Sequence, residues 1–470
     1  MTHSNESFND KDVEAGYSGD GTPMSSQPNL TGRNGDNGTE DKETALDMAA
    51  SMEDGSPASR IQTNSSWKDP GPPPDGGRKA WIQVLMVHLI IFNTWGYINS
   101  FGVFQTYYIT TLGHPPSDIS WVGSVQIFLL FFIGTFSGRA TDAGLFRHVL
   151  LLGSVLQLVG VFTTSLATKY WQLFLAQGLC TGIGNGLVFC PALSLLSTYF
   201  SKKRSLAMGI AASGSATGGL VFPAIVQQLL PRAGFPWTLR VVGFVILVIT
   251  IVTNIWTKPR LPPRKTGPIV EWQAFKELPY LLFSIGTFLA LWGLYFAFYY
   301  VGAFGRDIIG VSQSDSISLL LIMNGVGLIG RLIPNHMADR LCGPLNVIIP
   351  FAFIAGIVLY CWIAVSSRGG LIAFSVIYGL FAAGIQSLFP ATLSSLTTDL
   401  RKAGVRMGMV FSIVAFACLT GPPLAGALIQ QDDGGYLYAQ IFAGTSLVVG
   451  GFVLTAARIA KSGLKLRYKM

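Results

Sequence analysis

Residues 199–219 read YFSKKRSLAMGIAASGSATGG, and this stretch indicates a membrane helix that packs closely against a second helix. It opens with Tyr199 and Phe200, an aromatic pair typical of a bilayer surface. Three consecutive cations, Lys202 to Arg204, follow and resist crossing a membrane. The helix after them repeats small residues at every fourth position: Ala207, Ala211, Ser215 and Gly219, and likewise Gly214 and Gly218. Such a face lets two helix backbones approach, so we predict a tightly packed helix that moves against a neighbour.

The composition of the whole chain indicates many membrane-spanning helices. Half of the 470 residues are apolar, only 12% are charged, and the mean hydropathy is +0.48. A soluble domain carries about a quarter charged residues. The five cysteines are odd in number and show no metal-ligand spacing, so we interpret them as small core residues. We expect no metal, no cofactor and no nucleic-acid partner, and the sequence leaves the oligomeric state open.

Residues 1–74 form a separate acidic region. They contain 13 Asp and Glu against 5 Lys and Arg, which leaves a charge of +16 for the rest of a chain whose total is +8. The region is rich in Ser, Gly, Asn and Pro and has almost no aromatic residues, so we predict a disordered cytosolic tail. No apolar core follows an early basic stretch, and no signal peptide is expected.

Twelve apolar stretches follow, each long enough to cross a bilayer as a helix of about 20 residues. The first six lie near 80–105, 118–138, 147–167, 170–198, 205–230 and 237–256. The second six lie near 279–303, 315–336, 345–365, 370–396, 405–430 and 437–458. We predict an all-α integral membrane fold of two pseudo-symmetric six-helix bundles. The predicted divisions are an N-terminal bundle over 75–257, a Pro-rich cytosolic linker over 258–277, a C-terminal bundle over 278–460 and a basic tail over 461–470.

The distribution of Lys and Arg predicts the orientation. If the N-terminus is cytosolic, the segments on the inner side hold 21 of these cations and the outer loops hold 5. Positive charge accumulates on the cytosolic side of membrane proteins, and acidic residues count little in this rule. We therefore predict cytosolic N- and C-termini in a multi-pass protein of the plasma membrane.

A weak repeat connects the two sets of spans. Gly138-Arg139-Ala140-Thr141-Asp142 follows the second span, and Gly330-Arg331 with Ala338-Asp339-Arg340 occupies the inner end of the eighth. Two six-helix halves joined by a basic linker resemble the major facilitator superfamily. The resemblance implies two halves that rock around a central cavity near the bilayer midplane. The chain has no GxxxxGK[ST] loop, so we expect no ATPase activity.

Four motifs narrow this resemblance to one family. Residues 74–81 (PDGGRKAW), the stretch 199–219, the run Gly182 to Gly186 and the run Gly421 to Gly426 resemble the monocarboxylate porter family, in its fungal branch. The resemblance covers about residues 74 to 460. It implies proton-linked or facilitated movement of small organic acids, and the fungal relatives include expected exporters of secondary metabolites.

The chain departs from the acid-transporting pattern of that family in two places. Asn99 stands where animal members have a cavity lysine, and Gly327 stands where they have an aspartate one turn before the arginine of span eight. The arginine itself is kept as Arg331. These departures argue against lactate-type proton symport and favour a larger, less charged solute.

Arg331 is the one charged residue that we place well inside a span, where charge is costly and usually functional. We predict that it anchors a substrate, because a guanidinium binds both oxygens of a carboxylate. The alternative is a cation satisfied by backbone carbonyls or by Asp339.

Other polar residues in the spans are predicted to face protein or a wet cavity, because an unpaired amide is costly in lipid. The predicted substrate-binding residues, besides Arg331, are Asn93, Asn99, Gln126, Asn185, Asn324, Gln386 and Tyr295. Roughly half of the amides are expected only to join helices. Tyr295 is a candidate for stacking on a flat ligand.

His88 is the leading candidate for a proton-coupling site, since histidine titrates near neutral pH. A neutral histidine bound to another helix is the alternative. Arg139 with Asp142, and Asp339 with Arg340, are predicted as gating charges at the inner ends of the halves. Charges that only set the topology are the alternative there.

These features predict a secondary active or facilitated transporter of a small organic solute by alternating access, with an exporter of a fungal secondary metabolite as one form. Protons are a candidate coupling ion. The alternatives are a nutrient uptake carrier and a non-transporting receptor on the same fold. An integral membrane enzyme is disfavoured because no cluster of His, Asp and Glu faces a common cavity.

Overall fold

The computed structural model describes residues 71–113, 116–264 and 267–463, so nearly all of the predicted acidic tail and most of the basic tail lie outside these ranges. In the described ranges, ten helical segments are long and apolar enough to cross a membrane. Two of them, Asp118–Thr164 and Arg204–Trp256, have 47 and 53 residues, too many for one crossing. Each breaks at a glycine with positive φ, Gly144 (93°) or Gly234 (72°), and crosses twice. These described segments therefore make the twelve predicted crossings, named spans 1 to 12 in chain order.

The helices of spans 1 to 6 lie within the range 77–256. They are Gly77–Asn99 and Phe101–Leu112 (span 1), Pro116–Phe132 and Gly134–Ala140 (span 2), Phe146–Thr164 (span 3), Tyr170–Leu173 and Thr181–Tyr199 (span 4), Arg204–Ala212 (start of span 5), and Gly214–Trp256, whose break at Gly234 divides span 5 from span 6. The helices of spans 7 to 12 are Leu278–Phe304, Gln313–Met337, Pro344–Trp362, Arg368–Leu396, Ala403–Gln431 and Leu437–Ser462. Most of these bounds lie within a few residues of the predicted ones.

Matching five-residue π-helical turns follow spans 2 and 8. They are Thr141–Leu145 and Ala338–Cys342, and each carries an aspartate, Asp142 or Asp339, as its second residue. The two turns lie at the end of the bundle at which the linker joins the halves, here called the linker end. The shared turn confirms that the halves repeat one pattern.

The small-residue face of span 5 packs against span 1, as the opening stretch predicts. A Cβ added to Gly218 would lie 2.5 Å from the carbonyl oxygen of Phe92, and one added to Gly214 would overlap the carbonyl oxygen of His88. Gly96 of span 1 is equally close, because its added Cβ would lie 2.6 Å from the Cα of Gly218. Only glycines allow two helix backbones to approach this closely.

Tyr199 and Phe200, the aromatic pair that the sequence assigns to a bilayer surface, pack against other parts of the protein. Both are buried at the linker end. The ring of Phe200 meets Trp81 edge to face at 5.3 Å, and the Tyr199 hydroxyl donates to the carbonyl of Lys258 at 2.8 Å. The pair therefore joins the start of span 1, the end of span 4 and the linker.

Asp75 joins the two most distinctive sequence motifs. Its carboxylate oxygen Oδ1 accepts the backbone N–H groups of Ser201 (2.5 Å) and Lys202 (2.7 Å), and its own N–H donates to the carbonyl of Tyr199 at 3.1 Å. Asp75 has φ 52°, a left-handed conformation that is uncommon outside glycine and in which aspartate is enriched. The residues before span 1 are thus bound to the loop before span 5.

The linker is anchored to the start of span 11 by a cluster of ion pairs. Glu271 lies 2.5 Å from Lys402 and 3.2 Å from Arg406, which also pairs with Glu277. Partial burial raises the pKa of the Glu271 carboxyl, but the hydrogen bonds from Lys402 and Arg406 outweigh this effect and hold the pKa below its usual value. The linker is not one continuous helix, as its prolines predict, and its described part contains a 3₁₀ turn at Trp272–Lys276.

Candidate substrate site

The two halves enclose a cavity made of two adjacent chambers. Five residues line both chambers and are named the waist: Trp95, Ser215, Tyr295, Arg331 and Gln386. The chamber nearer the linker end is also lined by Ile91, Phe131, Phe189, Leu193, Ala212, Leu291, Phe389, Pro390 and Phe411. The far chamber is also lined by Ile98, Asn99, Phe101, Gly102, Gln105, Ile127, Phe298, Tyr299, Leu320 and Asn324. The linker-side chamber is therefore aromatic and apolar, whereas the far chamber carries the amides.

Both chambers are small in this conformation. The centre of a water-sized sphere reaches about 50 Å³ of the linker-side chamber and about 120 Å³ of the far chamber. The two chambers are therefore narrow in this conformation.

Arg331 carries the charge of the cavity. Its guanidinium is buried, and Nη2 donates to Oε1 of Gln386 at 2.8 Å. Nη1 is buried without a hydrogen-bond partner. A buried N–H group left unpaired costs about 1–3 kcal/mol, and more when charged, so this nitrogen is ready for an oxygen of a ligand.

Gly327 packs directly against that nitrogen and offers it no side-chain partner. A Cβ added at Gly327 would lie 2.6 Å from Nη1 of Arg331. A carboxylate side chain at this position would therefore contact the guanidinium. With glycine at position 327, no side chain from that position neutralises the charge of Arg331.

Asn99, Asn324 and Tyr295 also lie in the cavity lining, together with Arg331 and Gln386. The Asn99 amide nitrogen donates to the carbonyl of Ser215 at 3.1 Å, and that of Asn324 donates to Leu320 at 3.1 Å. The Tyr295 ring lies parallel to Trp95, with an interplanar angle of 7° and centroids 6.2 Å apart.

Three of the predicted binding residues lie elsewhere. Asn93 donates to the carbonyl of Ile246 at 3.3 Å and so joins span 1 to span 6. Gln126 and Asn185 are fully buried and line neither chamber, and their side-chain amide atoms have no hydrogen-bond partner. The face of span 2 that bears Gln126 packs within the N-terminal set of spans, where an added Cβ at Gly182 would lie 3.1 Å from the Gln126 Cα.

His88 lies outside both linings and is bound to span 5. Its Nδ1 is 2.8 Å from the carbonyl oxygen of Ile210, and its Nε2 is 3.2 Å from the Thr217 hydroxyl. A carbonyl only accepts, so the Nδ1 atom carries a proton in this arrangement. The geometry matches the alternative stated for this residue, a histidine that joins two helices.

The two aspartates of the predicted gating pairs bridge the halves at the linker end. Asp142, after span 2, accepts the backbone N–H groups of Gly404 (3.0 Å) and Val405 (2.9 Å) at the start of span 11. A carboxylate at a helix N-terminus is favoured because unpaired N–H groups and the helix dipole meet there.

The equivalent contact occurs on the other side of the bundle. Asp339, after span 8, accepts the backbone N–H groups of Ser205 (2.9 Å) and Leu206 (2.7 Å) at the start of span 5. Of the predicted partner cations, Arg139 lies close enough to Asp142 to interact with it electrostatically. Arg139 donates to the carbonyls of Gly267 and Arg264 in the linker, and Arg340 is exposed and makes no hydrogen bond or ion pair with another described residue.

The spans beneath these aspartates cross in direct backbone contact. A Cβ added to Gly138 of span 2 would overlap the carbonyl oxygen of Gly404 of span 11, and one added to Gly408 would overlap that of Gly134. On the other side, a Cβ added to Gly209 of span 5 would lie 2.6 Å from the Arg331 carbonyl oxygen. These contacts close the linker end of the cavity.

The two aspartates also fix the register of the internal repeat. Gly134 and Arg331 each lie eight residues before their aspartate, and both contact a glycine of the opposite half. Arg331 is therefore equivalent to Gly134. Of the predicted repeat, the aspartates Asp142 and Asp339 are equivalent, whereas Gly330-Arg331 corresponds to Ile133-Gly134 and not to Gly138-Arg139.

The sequence reasoning did not identify Trp95 and Ser215 as cavity residues. A usable signal for Trp95 was its place in the middle of span 1, since tryptophans of membrane helices concentrate at the two interfaces. Ser215 belongs to the predicted helix-packing face. The pattern of small residues gives no indication that its hydroxyl also borders a cavity.

A helical membrane protein whose halves surround a central cavity, and close it at one end by contacts between the halves, is a membrane transporter of small solutes. The chain belongs to the Major Facilitator Superfamily, which matches residues 85–366. An MFS-type transporter of Gibberella zeae is 50% identical over 399 residues, which cover 84% of this chain and 90% of the relative. The aspyridones efflux protein apdF of Emericella nidulans is 37% identical over 391 residues, with 83% and 79% covered.

Solved structures show the same fold. The human organic anion transporter MFSD10 superposes with a TM-score of 0.66 at 15% identity, covering 80% of this chain and 99% of that one. The transporter FucP, in its outward conformation, superposes with a TM-score of 0.63 at 14% identity, covering 81% and 99%. The all-helical transporter fold predicted from the sequence is confirmed.

Proposed function

We propose that this transporter exports a small organic acid, of the secondary-metabolite type, from the cytosol by alternating access. The observation that carries the proposal is the Arg331 guanidinium, buried at the waist with Nη1 unpaired and with no side chain at Gly327 to pair with it. An ionised oxygen of a solute would complete this group's hydrogen bonds. The relative apdF is an aspyridones efflux protein, which agrees with export.

We assign the chain within the superfamily to the fungal branch of the monocarboxylate porter family, on the motifs at 74–81 and 199–219. The Asp75 contacts with the loop at Ser201 and Lys202 support this, because they give both motifs one structural purpose. On the Lys and Arg distribution, the linker end faces the cytosol of a plasma-membrane protein and the far chamber faces outward. The six-helix divisions at 75–257 and 278–460 complete this proposal.

The charge of the lining favours facilitated transport or exchange over proton symport. Of the described residues that line the two chambers, Arg331 alone carries a formal charge. His88 is still the candidate for proton coupling, and its bonds to span 5 favour a structural role. His88→Gln should therefore leave the response of flux to an imposed pH gradient unchanged. Loss of that response in the variant would establish coupling through His88.

Transport by the full chain in proteoliposomes tests the anchor. We expect Arg331→Gln to lower the flux of labelled aromatic monocarboxylates by about 30-fold or more, which corresponds to about 2 kcal/mol. Gly327→Asp should have a similar effect, because the new carboxylate would pair with the guanidinium. Arg340→Gln is the matched control, since it removes an exposed cation outside the cavity. Unchanged flux in both Arg331→Gln and Gly327→Asp would contradict the proposal.

The direction of transport needs oriented vesicles. Faster initial uptake of the acid by inside-out vesicles than by right-side-out vesicles, at the same low concentration, is the result expected for an exporter. The reverse pattern would indicate a nutrient carrier. Signalling without flux, lost on deletion of residues 1–70, would indicate a receptor.

A further inference from the structure

The waist is divided between the halves. Trp95 and Ser215 belong to spans 1 and 5, whereas Tyr295, Arg331 and Gln386 belong to spans 7, 8 and 10. A solute that passes from one chamber to the other must pass between these two groups. The waist is therefore the part of the cavity that can discriminate between solutes by their shape.

The two aromatic rings of the waist face each other across the boundary between the halves. Trp95 and Tyr295 are parallel within 7°, and their centroids are 6.2 Å apart. This separation is the upper limit for the spacing of the two ring planes. A flat ring that contacts both faces at about 3.5 Å needs about 7 Å, so the halves must separate by about 1 Å or more to admit one.

Both rings are held in place by their neighbours. Trp95 meets Phe131 and Phe189 edge to face, at 5.6 Å and 6.1 Å, and Tyr295 packs against Phe298 at 6.3 Å. Both side chains are largely buried. The parallel arrangement is therefore set by the protein before any solute binds, and little side-chain entropy is lost when a flat solute stacks there.

The guanidinium with its unpaired nitrogen lines the same constriction. Arg331, Trp95 and Tyr295 border both chambers, and Gln386 orients the guanidinium through Nη2. A flat ring and an ionised oxygen can therefore be bound at the same level of the cavity. A compact aliphatic acid would use the arginine but not the rings.

We infer that the waist selects planar, conjugated organic acids, with the ring system inserted between Trp95 and Tyr295 and the acidic oxygen on Arg331. The inference rests on the proposed transport of organic acids and adds the substrate class. Because the two rings belong to different halves, insertion of a ring also pushes the halves apart. Binding of the correct solute would thereby favour release of the closed linker end.

The test compares two acids of equal carbon number and charge. Proteoliposomes with the full chain are given 2-naphthoate, which is planar, or decahydronaphthalene-2-carboxylate, which is saturated and puckered. We expect the wild type to transport naphthoate at least tenfold better, which corresponds to about 1.4 kcal/mol. Trp95→Leu and Tyr295→Leu should reduce that ratio to near one, whereas Trp95→Phe and Tyr295→Phe should keep most of it.

Phe92→Leu is the matched control, because Phe92 is an aromatic residue of span 1 that packs on Phe222 and lines neither chamber. A variant that folds but transports slowly can still be tested for binding, by measuring the thermal stabilisation of the purified protein by each acid. Equal transport of the two acids, or an unchanged ratio in both leucine variants, would overturn the ring clamp and leave the proposed function intact. Failure of the wild type to bind or transport either acid would overturn both.

Discussion

Spans 2 and 11 cross at the linker end in the same way as spans 8 and 5, yet the two crossings contain different residues. Both are capped by an aspartate that accepts two backbone N–H groups of the opposite half, Asp142 in one and Asp339 in the other. Beneath Asp142 the contact is glycine against glycine. Beneath Asp339 the position equivalent to Gly134 is Arg331, whose backbone contacts Gly209 and whose side chain lies in the cavity.

The difference indicates that the two crossings contribute differently to transport. The crossing of spans 2 and 11 only seals, because its glycines carry no side chain toward the cavity. In the crossing of spans 8 and 5, Asn335 donates to the Arg331 carbonyl at 2.8 Å and to the Ser387 hydroxyl at 2.7 Å. Movement at this crossing therefore shifts the residue that we propose to bind the substrate.

The largest expected effect comes from breaking the glycine crossing. Gly404→Val places a branched side chain against the carbonyl of Gly138, so the linker end cannot close. Cys190 is buried with Sγ 4.0 Å from the Gly404 carbonyl, and it serves as an internal reporter. In a background with the other four cysteines replaced by serine, we expect Cys190 to react with a maleimide more than tenfold faster, measured by peptide mass spectrometry.

The same substitution at Gly209 separates the two crossings. Gly209→Val should also open the linker end, and in addition it should raise the KM for the acid by displacing Arg331. Gly404→Val should leave the KM within about twofold. Gly325→Val is the control, because an added Cβ there meets no atom within 4 Å. An equal KM in Gly404→Val and Gly209→Val would contradict this difference between the two crossings.

The two caps are the symmetric part of the comparison and should respond equally. Asp142→Ala and Asp339→Ala each remove a cap, and such a loss typically costs about 1 kcal/mol, or roughly fivefold in an equilibrium. We expect the amides of Gly404 and Val405 to exchange roughly fivefold faster in the first variant, and those of Ser205 and Leu206 in the second. Hydrogen exchange by mass spectrometry measures both. Effects that differ by more than about threefold would show that one cap dominates the closure.

The smallest expected effect concerns the ion pairs of Glu271 at the start of span 11. The pKa of Glu271 lies below its usual value, so its ion pairs stabilise the fold at pH values above the ordinary pKa of about 4.3, and this stabilisation is lost as the pH falls through the lowered pKa. The Tm in detergent should therefore fall less between pH 6 and pH 3 in Glu271→Gln than in the wild type. Asp433→Asn, at an exposed residue, should keep the wild-type profile. Identical slopes for Glu271→Gln and the wild type would refute the contribution.

The sequence predicted the spans and the cavity arginine for clear physical reasons. Apolar length and flanking cations set where a helix crosses, so most bounds of the twelve spans differ little from the predicted ones. Arg331 was found because a charge is rare in the middle of a span. Both signals reside in a single helix and need no knowledge of its neighbours.

The orientation of each helix about its axis was not predictable in the same way. Gln126 and Asn185 are predicted cavity residues because they are polar, but they are buried among the spans of the N-terminal half and line neither chamber. Trp95 is not among the predicted cavity residues, but it lies at the boundary between the halves. A helix that is apolar all round gives no moment to indicate which face meets the other half.

Asp75 has a mechanical consequence for the waist. By bonding the residues before span 1 to the loop before span 5, it makes these two helices one lever, with a fixed length between Trp95 on one and Ser215 on the other. During the transport cycle we expect spans 1 and 5 to move together, so that their distance from Arg331 changes while their distance from each other does not. Asp75→Ala would let spans 1 and 5 move independently, so that the conformational change would be coupled less tightly to the solute at the waist.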